Sequence, residues 1–223
     1  MNPQTPPPIN GASFEKLLDA VVSSLPLGLT RRQREQLRTH FTLLLQWNAK
    51  INLTSIRSPE EIATRHFEES LLLATLIPAP SGPMVDIGSG AGFPGLPLKI
   101  AWPDVETILL EPNHKKSTFL KEVARSSGLE GIEVRAERLE QVVEGGLAGR
   151  AALATLRAVA LTPKVLKDAA KLLTNDGQIA LFTSEEGAAS LPGPGIFRWH
   201  RQEAIPHSRY GKILIGRRPA DSV

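Results

Sequence analysis

Cysteine is missing from this sequence: none of its 223 residues is one. This absence excludes disulfide bonds, thiolate metal ligands and a cysteine nucleophile. Long apolar runs are also missing, because no stretch reaches the roughly 18 residues that span a bilayer, and no signal peptide opens the chain. The sequence therefore predicts a cytoplasmic protein with no membrane partner.

Net charge is small as well, because 26 lysines and arginines stand against 23 aspartates and glutamates, which leaves +3. A charge of this size excludes a strong positive potential over the whole surface. Any binding of nucleic acid would therefore need a local cluster of basic residues. The hydrophobic share of 41% and the charged share of 22% are ordinary for a globular protein. A chain of this length can bury one sizeable core, and we expect a monomer.

The stretch from Asp86 to Gly95 predicts a cofactor site. Met84 to Ile87 is an apolar run typical of the end of a buried strand. Three glycines that allow a tight turn follow at alternate positions, Gly88, Gly90 and Gly92. Pro94 then suits the first turn of a helix, so the ligand would lie at a helix N-terminus.

Two interpretations of this turn lead to different cofactors. Gly90 to Gly95 satisfies G-x-G-x-x-G, the dinucleotide pattern, but that match alone has low specificity. Asp86 favours S-adenosylmethionine, because a carboxylate repels a pyrophosphate and attracts the sulfonium and ammonium groups of the methyl donor. Glu111 lies 23 residues after Gly88, at the end of the next predicted strand, where an acid meets ribose hydroxyls.

Helical and strand patterns divide the chain into three parts. Apolar stripes at helical spacing predict helices over 13–24, 30–48 and 58–76, the second opened by a capping box at Thr30. After the proline-rich stretch 78–83, strands alternate with helices, which predicts an α/β fold with a doubly wound, mostly parallel sheet. We expect a disordered tail at 1–11, an N-terminal helical cap at 12–80 and a Rossmann-like domain at 81–223.

The predicted strands are 84–87, 106–111, 131–135, 151–156 and 177–183, with a closing hairpin-like pair at 197–205 and 212–217. The carboxyl ends of parallel strands meet at one edge of a sheet, where such folds bind their ligands. Four polar residues at those ends should therefore converge, namely Asp86, Glu111, Glu137 and Arg157.

Several motifs together resemble one bacterial family. They are similar to motifs of the ribosomal RNA small subunit methyltransferase G family, also called glucose-inhibited division protein B. The matching motifs are the Gly-Phe-Pro-Gly ending of the turn, Trp47-Asn48 with Asn52-Leu53-Thr54, Arg65-His66 and Arg157-Ala158. The resemblance implies a class I S-adenosylmethionine-dependent methyltransferase fold. It also implies methylation of guanine N7 in 16S ribosomal RNA, at guanine 527, with that RNA or the small ribosomal subunit as partner.

The resemblance further implies roles for individual residues. Gly88 and Phe93 would line the methionine and adenosine region, and Arg157 would close the pocket. Glu111 to Asn113 would meet the ribose, and Ala136-Glu137 the adenine. The implied cofactor-binding set is Asp86, Gly88, Gly90, Phe93, Glu111, Pro112, Asn113, Ala136, Glu137 and Arg157. Around the mouth of the pocket we expect RNA contacts from Arg65, His66, Lys115, Lys116 and Arg135.

The expected chemistry needs no general base, because guanine N7 presents a lone pair and has no proton to lose. Methyl transfer then depends on positioning the two reactants, and Arg157 is the one candidate for a catalytic role. No metal site is assigned. Two positions depart from the family pattern: 149–153 lacks the usual aspartate before strand four, and Phe182-Thr183-Ser184 replaces a Lys-Gly pair after strand five.

Three alternatives stay open on the sequence alone. A methyltransferase could act on another RNA, on a small molecule or on a protein; for the last two it would share the pocket without needing its basic surroundings. An NAD(P)-linked oxidoreductase would use the glycine pattern for a dinucleotide. A non-catalytic RNA- or ribosome-binding module with a vestigial pocket would keep the fold without the chemistry.

Overall fold

The computed structural model describes residues 11–191, 195–206, 208 and 211–219, with side chains from residue 16 onward. The predicted tail lies outside this part of the chain except for Gly11, which is helical. The Pro-Gly-Pro sequence at 192–194 predicts a loop, and these residues lie outside the described part as well.

Seven strands form one sheet in the described part of the chain: β1 (Met84–Ile87), β2 (Thr107–Leu110), β3 (Ile132–Arg135), β4 (Ala151–Arg157), β5 (Leu173–Ser184), β6 (Arg198–Ala204) and β7 (Gly211–Arg217). Their order is β3-β2-β1-β4-β5-β7-β6. The pairs from β3 to β5 are parallel, whereas β7 is antiparallel to both β5 and β6. The predicted doubly wound, mostly parallel sheet and its closing antiparallel pair are confirmed.

The helices of the described chain are α1 (Gly11–Ser24), α2 (Arg31–Asn48), α3 (Pro59–Ile62), α4 (Glu69–Leu76), α5 (Gly95–Ala101), α6 (His114–Ser126), α7 (Leu139–Val142), α8 (Pro163–Leu172) and α9 (Glu185–Ala189). The capping box at Thr30 is confirmed, because Thr30 N–H donates to Gln33 Oε1 at 2.8 Å while the Thr30 hydroxyl accepts from Gln33 N–H. No described helix is long and apolar enough to cross a membrane.

Between α3 and α4 the backbone is π-helical over Ala63–Glu68, so the helix predicted at 58–76 is one run with a widened middle. A second π-helical segment, Val143–Leu147, follows α7. Helices α7 and α9 were not predicted, because helices of four and five residues are too short to carry a periodic pattern.

The sheet carries an apolar layer on each face. On one face Leu109 packs with Leu96 of α5 and Phe119 of α6, and on the other Val85 packs with Leu166 of α8. This division follows from the alternation of side chains along β1 and β2. The carboxyl ends of the central strands lie between the two layers, and the glycine turn follows the end of β1.

The helical region at the N-terminal side shares the first of these layers. Leu37, Phe41 and Leu44 of α2 are buried in the same cluster as Leu96 and Phe119. The apolar stripe of α2 is thus covered by helices that belong to the sheet domain. The assignment of 12–80 as a cap stays a prediction, and these contacts favour it.

The two outer strands of the sheet are both poorly suited to further pairing. At one edge, β6 has five exposed residues out of seven, and its register against β7 shifts between Trp199 and Arg201. At the other edge, β3 has only four residues, of which Glu133 and Arg135 form an ion pair.

Candidate functional site

The glycine turn closes over the carboxyl ends of β1 and β2. Gly88 N–H donates to the Leu110 carbonyl at 2.9 Å, which extends the pairing of the two strands. Gly90 N–H donates to Glu111 Oε2 at 2.9 Å, and Asn113 N–H donates to Glu111 Oε1 at the same distance. One carboxylate therefore ties the turn to the start of α6, and its oxygens retain lone pairs for further donors.

Gly90 leaves open space beside this turn. Its φ is +55°, and a Cβ atom added to it would have Gly88 O, at 3.8 Å, as its nearest contact beyond the chain neighbours. A left-handed backbone of this kind favours glycine. A ligand can therefore approach the backbone closely here, as nucleotide-type cofactors do at the turn after the first strand.

Asp86 does not face that space. Its carboxylate is fully buried, and it accepts from the Thr155 hydroxyl at 2.7 Å and from Gly95 N–H at 3.2 Å. Only glycine fits at Gly95, because a Cβ there would lie 2.6 Å from Asp86 Oδ2. Burial raises the pKa of Asp86 to about 6. The predicted contact between Asp86 and a cationic donor is therefore wrong, and the carboxylate instead joins β1 to β4 and to the start of α5.

Phe93 is enclosed between two histidines. Its ring stacks on His66 at 4.5 Å and on His40 at 4.7 Å between centroids, and only 5% of the residue is exposed. Nε2 of His66 lies 2.9 Å from the Thr54 hydroxyl, and burial lowers the pKa of His66 to about 3. The Phe93 ring therefore offers little surface to a cofactor, and His66 carries no charge for a phosphate at neutral pH. The cofactor contact of Phe93 and the RNA contact of His66 stay predictions.

The other predicted cofactor residues lie at the same edge of the sheet. Ala136 and Glu137 follow β3 and are half-buried, and Pro112 is exposed after β2. Asn113 caps α6, because its Oδ1 accepts from two backbone N–H groups of the first helical turn. Pro112 and Asn113 directly follow Glu111 in the chain, and Ala136 and Glu137 follow Arg135, whose carbonyl accepts from Glu111 N–H at 3.0 Å.

Arg157 ends β4 and joins the sheet to the helical region. Its Nη2 donates to Glu69 Oε2 and to the Arg65 carbonyl, and its guanidinium lies 5.7 Å from the centre of the Phe182 ring. The side chains of Arg157 and Glu69 are 16% and 9% exposed. Nη1 is buried and has no hydrogen-bond partner among the described residues. Because an unpaired buried donor is unfavourable, this atom is suited to an acceptor on a ligand.

A groove of about 690 Å³ lies beside Arg157. One wall comes from the π-helical segment and its neighbours, and the other from the carboxyl ends of β4 and β5 and the start of β7. The lining includes Glu61, Arg65, Glu69, Phe182, Thr183 and Ser184. An aromatic ring, hydroxyls and charges of both signs suit a planar, polar ligand such as a nucleobase.

The predicted RNA-binding cations divide into two groups. Lys115 and Lys116 begin α6, and Arg65 is 56% exposed in the groove, 3.9 Å from Glu61. Arg135 instead pairs with Glu133 at 2.8 Å and borders a separate cavity of about 340 Å³, which lies towards the amino ends of β1, β2 and β3. The placement of Arg135 at the mouth of the pocket is therefore wrong.

Three residues of the site were missed by the sequence analysis: Thr155, His40 and Glu69. Thr155 carried a signal, because it is a hydroxyl in the otherwise apolar strand β4. His40 carried one too, since it lies on the buried stripe of α2. Glu69 carried none, because a helix that presents several acids does not indicate which of them is buried. Among the residues described, no cluster of His, Asp or Glu could hold a metal ion.

Comparison of the sequence with known proteins agrees on one family. The sequence model of the GidB family, described as rRNA small subunit methyltransferase G, matches residues 33–191. The ribosomal RNA small subunit methyltransferase G of Halorhodospira halophila is 36% identical over 180 residues, which is 79% of this chain and 83% of that protein. The protein of the same name from Chromobacterium violaceum is 38% identical over 159 residues, which is 70% of this chain and 73% of that protein.

Solved structures agree on the fold. A mutant of the 16S rRNA (adenine(1408)-N(1))-methyltransferase from Catenulisporales acidiphilia, solved with its cosubstrate SAM, superposes with a TM-score of 0.50. The sequences are 14% identical over 62% of this chain and 85% of that chain, so the likeness concerns the fold alone. The chain has the fold of the class I S-adenosylmethionine-dependent methyltransferases.

Proposed function

The chain belongs to the rRNA small subunit methyltransferase G family, and from this we propose that it transfers a methyl group from S-adenosylmethionine to guanine N7 in 16S ribosomal RNA. The nucleotide is guanine 527 by the family resemblance. The observation that carries the proposal is the open turn at Gly90, held by Glu111, with the Arg157 groove formed by the next strand end.

The donor side is supported by the groups around the turn. Glu111 is fixed by two backbone N–H groups and keeps acceptor capacity, which suits the two hydroxyls of a ribose. The space beside Gly90 would be filled by any side chain, so the turn fits a ligand pressed against the backbone. When bound, S-adenosylmethionine supplies a methyl group activated by the adjacent sulfonium.

The acceptor side is supported by Arg157. Guanine presents O6 and N7 side by side as acceptors, and arginine is the usual partner of these atoms. Nη2 of Arg157 is engaged by Glu69, whereas Nη1 is unpaired. Donation from Nη1 to O6 would orient the base and leave the N7 lone pair available. Because the major groove of A-form RNA is closed to side chains, the target base has to be in a loop or displaced by the enzyme.

For the reaction itself, the protein mainly has to position the guanine and the methyl donor. The residues of the site would hold N7 against the methyl group that the bound donor would supply; the sulfur would keep the electrons of its bond to that methyl group and leave as neutral S-adenosylhomocysteine, and no proton would have to be removed from N7. A sheltered guanidinium near the base is sufficient, and a general base is not required.

The experiment is methyl transfer with tritiated S-adenosylmethionine to purified 16S rRNA and, in parallel, to small ribosomal subunits. We expect label in at least one of them, at a guanine that becomes sensitive to reduction and aniline cleavage, the signature of N7 methylation. RNA from cells with and without the gene should differ at the same nucleotide. Label on another atom or on no RNA, or tight binding of NAD(P) instead of the donor, would contradict the proposal.

A further inference from the structure

His40 contacts the glycine turn at Ala91 and Phe93. It comes from α2, and its ring stacks on Phe93 with 4.7 Å between centroids and an interplanar angle of 24°. Its Nε2 lies 2.8 Å from the Ala91 carbonyl. Because a carbonyl only accepts, Nε2 carries the proton and donates it. One side chain thus holds both the backbone and a side chain of the turn.

The surroundings of His40 make this contact rigid. The residue is fully buried, and the rings of Phe67 and Phe119 lie 5.1 and 6.1 Å from its own. Nδ1 has no hydrogen-bond partner among the described residues. An apolar residue would fill the same volume without leaving a ring nitrogen unpaired. Packing alone therefore does not explain a histidine at this position, whereas its hydrogen bond to the turn does.

The turn itself has few other constraints on its outer part. Within it, Gly92 N–H and Phe93 N–H both donate to the Ser89 carbonyl, at 2.7 and 3.2 Å. Gly90 is held by Glu111, and its far side is open. Between Gly90 and Phe93, further contacts come from outside these residues. His40 bonds to the Ala91 carbonyl, Leu96 N–H donates to the Gly92 carbonyl at 2.8 Å, and the rings of both histidines and of Phe67 pack on Phe93. Among them, only His40 bonds to Ala91, the residue next to the open side of Gly90.

We propose that His40 is a positioning residue for the methyl donor: it fixes the turn from Gly90 to Phe93 in the shape that receives the donor, without touching it. The inference rests on the proposed function for the identity of the ligand. It assigns part of the donor site to α2, a helix 51 residues upstream of the turn it holds.

Four variants separate this role from packing. His40→Gln keeps an N–H donor at about the reach of Nε2, whereas His40→Asn has the same amide one methylene shorter and cannot reach Ala91. His40→Phe keeps the ring and loses the donor. Leu44→Ala is the control. Leu44 is buried one turn further along α2 in the same apolar cluster, so its truncation lowers stability, but a leucine side chain has no hydrogen bond to the turn to lose.

Hydrogen exchange without any ligand tests the hold on the turn. We expect the amides of residues 90–93 to exchange about tenfold faster in His40→Asn and His40→Phe than in the wild type, and to change little in His40→Gln or Leu44→Ala. Equal acceleration in Leu44→Ala would overturn the proposal, because the effect would then follow overall stability. This measurement stays decisive if the proposed donor is wrong, since it uses none.

Calorimetric titration with S-adenosylmethionine tests whether loosening the turn weakens donor binding. It is run at a temperature well below the unfolding temperature of every variant. We expect Kd for the donor to rise about tenfold in His40→Asn and His40→Phe, as for one lost buried hydrogen bond, with RNA affinity unchanged. Should His40→Phe not fold, the Gln and Asn pair gives the same comparison. Unchanged donor affinity in His40→Asn would overturn the proposal, whereas no donor binding by the wild type would instead refute the proposed function.

Discussion

Gly90 is the residue at which the donor site can be tested with the smallest change. In Gly90→Ala the added methyl group would enter the open space beside the turn, so donor affinity should fall at least tenfold. The left-handed φ should also cost about 1 kcal/mol of folding free energy. Titration with S-adenosylmethionine and urea unfolding measure the two effects.

Gly128→Ala is the matched control, because Gly128 has φ of +57°, lies in the loop before β3 and has no atom within 4 Å of an added Cβ. It should show the same loss of stability with normal donor affinity. If Gly90→Ala also bound the donor normally, the ligand would not lie against this turn.

Individual residues of the site could be located from the sequence but not oriented. Glu111 lies at the strand end beside the turn, where its spacing from Gly88 indicated. Asp86 follows the same rule, yet its carboxylate turns inward because Thr155 and Gly95 N–H provide donors there. Those donors come from another strand and from a helix, so nothing next to Asp86 in the sequence indicates them.

At the scale of elements, the π-helical segment and α4 bring a buried ion pair to the end of β4. Glu69→Ala should lower the free energy of unfolding by about 3 kcal/mol or more, because it leaves the charge of Arg157 buried without its partner. Urea unfolding with a constant m-value checks this.

The comparison for Glu69→Ala is Glu61→Ala, which removes an ion pair from the same helical run. Glu61 and Arg65 are both 56% exposed and 3.9 Å apart, so this change should cost less than about 1 kcal/mol. Equal losses in the two variants would mean that the Arg157 pair is as well solvated as the exposed one.

The first turn of α6 is expected to contact RNA phosphate. Lys115→Ala should leave donor affinity intact and reduce the slope of log affinity against log salt by about one. Arg65→Ala should do the same, because the backbone carbonyl that holds Arg157 remains. Filter binding over a salt series measures the slope.

Lys167→Ala removes an exposed lysine from α8 and serves as the control for the RNA contacts. Its salt slope should equal that of the wild type. If Lys115→Ala and Arg65→Ala bound RNA normally at every salt concentration, these side chains would only be solvated.

The long elements could be predicted because their patterns are local, but the details that shape the site are not. Apolar periodicity and the capping box predicted α2. Short apolar runs predicted the strands in the order in which they occur along the chain. The π-helical segment at Ala63–Glu68 has no distinct residue pattern, and its partners Arg157 and Phe93 come from distant parts of the chain. The stack of His40, Phe93 and His66 likewise needs three elements brought together by the fold.

At the scale of the whole molecule, buried histidines should make stability depend on pH. Burial lowers the pKa of His40 to about 4 and that of His66 to about 3, against about 6.5 in an unfolded chain. Each therefore contributes stability that is fully present above about pH 6.5 and is lost as the pH falls towards its folded pKa. Asp86 opposes them, because its pKa is raised to about 6 and its contribution is lost as the pH rises through that value.

Between about pH 4.5 and 5.5 the unfolded chain binds two more protons at the histidines, and the folded chain binds one more at Asp86. The unfolded state therefore binds one proton more, and the free energy of unfolding should rise by about 1.4 kcal/mol per pH unit. In His40→Phe this slope should fall by about the same amount, because one of the two histidine contributions is gone. Urea unfolding at several pH values gives both slopes. Identical slopes would show that His40 is not buried in the neutral form.

The cap and the sheet domain are expected to fold as one unit, since α2 and α6 share a single apolar cluster. A fragment of residues 12–80 should be largely unfolded by circular dichroism and should lack a cooperative transition. The full chain should unfold in one transition by the same probe. A fragment that unfolded cooperatively on its own would make the cap an independent domain.

The two poorly pairing edges of the sheet bear on how the protein behaves when crowded. An open strand edge is a template for a strand from another molecule, and long, flat, apolar edges lead to aggregation. Here β3 is four residues long and carries an ion pair, while β6 is interrupted by its register shift and presents Arg198 and Arg201 to solvent. Neither edge gives an incoming chain a continuous row of partners. High expression should therefore give dispersed protein rather than fibres or inclusion bodies seeded at the sheet.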